Sequence, residues 1–85
     1  MNNRHKKTLA AIFENPTRSD IEWKEIGKAL LALGALLKED SGSRVRFDIG
    51  GVSAVFHRPH PQKEAQQGSI KAVRAFLEKA GVYGV

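Results

Sequence analysis

The chain has 85 residues, 41% of them hydrophobic, with 14 Lys and Arg against 9 Asp and Glu and a formal charge of +5. That length holds one core and not two, and the apolar share suits a folded domain rather than a disordered tail. The chain has no cysteine, which rules out disulfide staples, a thiol nucleophile and Cys-ligated zinc.

The excess of basic residues suits an anionic partner. The N-terminal apolar run, Leu9 to Phe13, is too short for a signal peptide. Ala29 to Leu37 is too short to span a bilayer and contains Gly34. The expectation is a cytoplasmic protein without a membrane partner.

The spacing of Leu9, Ile12 and Phe13 predicts a short helix over 4–14, broken by Asn15-Pro16. Asn15 to Asp20 reads as a linker. The domain boundary is therefore set between an N-terminal helical extension with its linker, 1–18, and the main unit, 19–85. Ser19 and Glu22 fit a capping box, and Trp23, Ile26, Leu30 and Leu33 form the apolar stripe of a second helix. Gly34 is placed to end it. Ala35 to Glu39 reads as a first strand.

Arg44 to Ile49 alternates strictly, Val52 to His57 more loosely, and Gly50-Gly51 between them reads as a two-residue hairpin turn. The prolines of His57-Arg58-Pro59-His60-Pro61 end the second strand. Ser69 is placed to cap a last helix, whose buried stripe is Ile70, Val73, Phe76, Leu77 and Ala80, with Gly81 as its stop. The order α-α-β-β-β-α predicts an α+β domain with helices on one face of a three-stranded antiparallel sheet.

Counting outward from a two-residue turn pairs Ile49 with Val52, Phe47 with Ala54 and Val45 with Phe56, all apolar. On the other face Asp48 meets Ser53, Arg46 meets Val55, and Arg44 meets His57. A guanidinium beside an imidazole favours the neutral ring, which can accept a proton, and the guanidinium can hold a phosphate. A base with a phosphate clamp is a minimal kit for RNA cleavage, in which the base takes the 2′-hydroxyl proton and the clamp steadies the charge. The plainer reading of the same residues is a solvated sheet face. His57, His60 and Glu64 make a poor metal set because two prolines intervene, so no metal and no other cofactor is expected.

An ordered set of features resembles the HicA toxin family of bacterial toxin–antitoxin pairs. It comprises a capped helix, Gly42-Ser43 before a strand, a hairpin, and the segment PHPQKE at 59–64. GSIKAVRAFLEKAGV at 68–82 completes it. The likeness runs from Ser19 to Val82, and the spacing of the last two segments is its most specific part. It implies a fold similar to the double-stranded-RNA-binding domain, and an endoribonuclease that cleaves mRNA without a metal and arrests growth. It also implies silencing by a HicB-like antitoxin. One position departs from the pattern. Family members commonly carry the catalytic histidine directly after Gly-Ser, where this chain has Arg44, and arginine is a poor general base. The catalytic candidates are then His57, across the hairpin from Arg44, and His60, within the matching Pro-His-Pro. The candidate RNA-binding residues are Arg44, Arg46, Arg58, Lys63, Ser69, Lys71 and Arg74, taken with the start of the last helix. Two other readings stay open: an RNA-binding module that does not cut, and an interaction domain that chiefly meets an antitoxin.

Overall fold

The computed structural model describes residues 1–83, so the last two positions of the predicted 19–85 unit lie outside the described residues. The elements run α1 (Asn3–Ile12), α2 (Trp23–Ala32), β1 (Leu36–Glu39), β2 (Arg44–Ile49), β3 (Val52–His57) and α3 (Gln67–Lys79). The strands form one antiparallel sheet in the order β1-β2-β3. This is the expected α+β order, with the helices packed on one face of the sheet.

The predicted hairpin register holds at every pair. Ile49 faces Val52, Phe47 faces Ala54, Val45 faces Phe56, and Arg44 faces His57. Gly50 and Gly51 turn the chain at φ 56° and 80°, the left-handed conformation that a two-residue turn of this kind requires at both positions. A side chain there would cost about 1–2 kcal/mol per residue.

Alternation sends Val45, Phe47 and Phe56 inward, where each is at most 6% exposed. They meet the stripes of α2 (Ile26, Ala29, Leu30) and α3 (Ile70, Val73, Phe76, Leu77). Trp23, Phe47, Phe56 and Phe76 form a continuous aromatic chain with ring centroids 5.9–6.5 Å apart, in the edge-on and tilted contacts that ring quadrupoles favour. The basic N-terminal helix belongs to the same core, since Leu9, Ala11 and Ile12 are buried in it. Two charged groups fasten it. Arg4 makes a two-pronged pair with Glu25 of α2 at 2.7 and 2.9 Å. Arg74 of α3 donates to the carbonyls of Ile12 and Glu14 at 3.0 and 2.9 Å.

Two helix starts differ from the expectation. Ser19 caps nothing; α2 begins at Trp23 behind Glu22, with no side-chain cap. The stretch from Ile21 to Trp23 is instead engaged by the loop ahead of α3. Trp23 N–H donates to the Lys63 carbonyl at 2.9 Å, Ala65 N–H donates to the Ile21 carbonyl at 2.8 Å, and Glu22 bridges Glu64. A segment whose backbone groups are satisfied by a neighbouring loop has no use for a cap. The second difference is at α3. Ser69 lies inside the first turn, the cap position is Gln66, and no side chain covers that end. Gly34 and Gly81 end α2 and α3 at φ 95° and 83° as expected.

Candidate active site

The residues singled out from the sequence fall into two adjoining regions, because alternation along β3 splits them. Arg44, Arg46 and His57 leave the sheet on its solvent face, with Asp48 and Ser53 beside them. Arg58 follows Phe56 by two positions and therefore leaves from the helix-covered face. Its backbone prolongs the hairpin by one more bond, donating to the Ser43 carbonyl at 2.8 Å. His57 stands where the two regions meet.

The first region is laced by its own charges. Arg46 donates to Asp48 at 3.0 Å and to Ser53 at 3.2 Å, and the Ser53 hydroxyl donates to Asp48. The Ser53 hydroxyl, and after it the Arg46 guanidinium, hold the Asp48 carboxyl below its ordinary value. Arg44 lies 3.7 Å from Asp40. These pairs are half-exposed, so their guanidinium charge remains open to a second anion from solvent.

The second region is a cavity of about 300 Å³ at the end of the sheet. It is lined by His57, Arg58 and His60 together with Gln62, Gln66 and Ser69. It brings together both imidazoles, one guanidinium and the uncapped first turn of α3. That turn contains no acidic side chain, so no carboxylate of its own offsets its free N–H groups and the positive end of the helix dipole, and Gln66 and Ser69 from this helix start line the cavity. Backbone amides at a helix start bind phosphate oxygens without help from a specific motif. Prolines 59 and 61 flank His60 and narrow the loop's backbone freedom. Arg58 is held in place by a 2.5 Å ion pair to Glu39 of β1.

The other predicted RNA contacts divide. Lys63 lies beside the cavity in the loop ahead of α3 and is exposed. Lys71 is exposed on α3 two residues beyond Ser69, and so projects from nearly the opposite side of the helix. Arg74 is committed elsewhere, its guanidinium donating to the Ile12 and Glu14 carbonyls and to Thr17 at 3.3 Å. Sequence reasoning missed Gln62 and Gln66, because both sit in what reads as polar loop. A helix start set at Gln66 rather than Ser69 is the signal that would have found Gln66. Among the described residues no cluster of three His, Asp or Glu side chains stands together, and no helix is long and apolar enough to cross a membrane.

A family model described as the HicA toxin of bacterial toxin–antitoxin systems matches residues 23–82. The match opens at the first residue of α2 and closes just past α3, so it takes in the sheet and every residue that lines the cavity and leaves out α1. No curated protein and no solved structure matches the chain.

Proposed function

The chain belongs to the HicA toxin family of bacterial toxin–antitoxin systems, and from that premise we propose that it is a metal-independent endoribonuclease. It cleaves mRNA in the cytoplasm, arrests growth, and is silenced by a HicB-like antitoxin. The observation that carries this reading is the convergence of His57 and His60 on one cavity that is also lined by Gln66 and Ser69 from the uncapped start of α3.

In this mechanism the scissile phosphate rests on the amides of the first turn of α3, with the Ser69 hydroxyl and Arg58 as further donors. His57, fixed on the end of a strand, is the base, since rigid elements hold catalytic geometry better than loops. It takes the proton of the 2′-hydroxyl, whose oxygen attacks phosphorus. His60 gives a proton to the departing 5′-oxygen. The products are a 2′,3′-cyclic phosphate and a free 5′-hydroxyl. The negative charge that grows on the phosphoryl oxygens is met by donors already in position. Arg44 and Arg46 on the solvent face, with Lys63 in the loop ahead of α3 and Lys71 farther along that helix, hold the flanking backbone. In this reading Arg44, in the position the family commonly gives to histidine, is a phosphate contact rather than a base.

The test is incubation of the pure protein with a defined RNA in excess chelator, with the product ends identified. Cyclic phosphate termini support the proposal. Intact RNA that is nonetheless bound favours a second reading, an RNA-binding module without cleavage, for which Arg44 after Gly42-Ser43 is the specific support.

A further inference from the structure

A second cavity, of about 350 Å³, adjoins the histidine cavity and shares Arg58, Pro59 and Gln62 with it. Its aromatic wall is Trp23. One side of the indole packs against Phe47 and Phe56, with ring centroids 6.5 and 5.9 Å away. Trp23 is only partly buried, and it lines the cavity. Core packing accounts for the covered side. It does not account for an indole left open to a cleft whose rim carries Lys24, Arg58 and Lys63 against the single carboxylate of Glu22.

From this juxtaposition we propose that the Trp23 cavity binds one nucleobase of a single-stranded RNA, stacked on the indole, next to the phosphate held in the histidine cavity. The inference rests on the endoribonuclease reading and adds a base subsite to it. Every base offers a π-face, so an indole with a free surface suits single-stranded nucleic acid, and flanking cations supply the contact to its backbone. Pro59 forms an apolar wall at the junction of the two cavities, and Arg58 stands there as a donor common to both. A phosphate that joins the stacked nucleotide to the reacting one would meet that guanidinium. The indole is also held in place. Its backbone N–H is bonded to the Lys63 carbonyl, and the two phenylalanine rings fix its plane, so little ordering is left for binding to supply. An A-form duplex keeps its bases stacked and paired, so the site selects an unpaired strand.

Trp23 is the only tryptophan in the chain, and its emission therefore reports this cavity alone. The experiment uses the unmodified protein with two probes. One is a short 2′-O-methyl RNA, which lacks the attacking hydroxyl; the other is the same backbone without bases. Binding is read by anisotropy of an end label, and Trp23 by its emission and its quenching by acrylamide. Expected is binding of both probes. The base-bearing strand binds about tenfold more tightly, and it alone changes the emission and shields the indole from acrylamide. Binding of both with equal affinity, or with unchanged Trp23 emission, overturns the base subsite and leaves the RNA reading intact. No binding of either probe overturns both.

Discussion

Glu39 on the outer strand accepts a 2.5 Å hydrogen bond from Arg58 at the exit of the opposite strand, and the guanidinium so held lines both cavities. The carboxylate is largely exposed, and on the proposed function it competes with the RNA phosphate for the same donors. Glu39→Gln is therefore expected to tighten RNA binding by about two- to fivefold, the span of an exposed ion pair. Unfolding stability should shift by no more than about 0.5 kcal/mol. Anisotropy titrations at fixed salt measure the first and denaturant unfolding the second. Weaker binding would mean that the pair orients Arg58 instead of occupying it.

If His57 and His60 divide the proton transfers, removing either disables the same chemical step. His57→Ala and His60→Ala are each expected to lower the cleavage rate by about a hundredfold or more. The double variant should lose much less than the product of the two. Both side chains are exposed, so thermal unfolding should hardly move. Single-turnover cleavage of a defined RNA gives the rates. Full activity in both folded variants would remove these residues from the mechanism.

Arg74 and Lys63 are expected to part company. Arg74→Ala takes three hydrogen bonds from the joint between α3 and the end of α1, and should cost about 1.5–3 kcal/mol in denaturant unfolding. Its effect on the salt dependence of RNA binding should be nil. Lys63→Ala should leave stability alone and lower the slope of log K against log salt by about 0.7, the single-strand value for one phosphate contact. The reverse pattern would place the RNA along the exposed side of α3.

Acid stability follows from three carboxyls held below their ordinary values. Asp48 is held down by the Ser53 hydroxyl and then Arg46, Glu25 by Arg4, and Asp20 by Arg18. Because folding lowers these values, each group contributes stability above its unfolded range, and that contribution is lost as pH falls through the folded value. The midpoint of thermal unfolding should be flat down to about pH 5 and drop below about pH 4. Salt should blunt the drop, since the guanidinium partners are solvent-accessible. Asp48→Asn should flatten it in part. A midpoint that climbs in acid would contradict these pairings.

The hairpin was fully legible in the sequence because alternation on both sides of Gly50-Gly51, strict before it and looser after, leaves one register that buries Val45, Phe47 and Phe56 together. The helix interiors were legible for the same reason, since their apolar spacing has a single solution. Their starts were not. Ser19 and Ser69 are good caps by residue type, yet the cap positions are Glu22 and Gln66. What decides the first is backbone pairing with Lys63–Ala65, a contact between segments some forty positions apart that no local pattern encodes. At the site, the pairing of Arg44 with His57 followed from counting, whereas the cavity uniting His57, His60 and α3 did not. Its shape depends on how the proline loop closes over the sheet end. Trp23 read as one more member of an apolar stripe, because spacing shows which side of a helix is inward and not whether that side is completely covered.

The stitching of Ile21–Trp23 to Lys63–Ala65 moors the proline loop far from the strand that launches it. A strap fastened at both ends has little slack, so the cleft behind it stands ready-made before any ligand arrives. A protein that disarms such a cleft gains little by trying to warp it; the economical route is a shield laid across the opening.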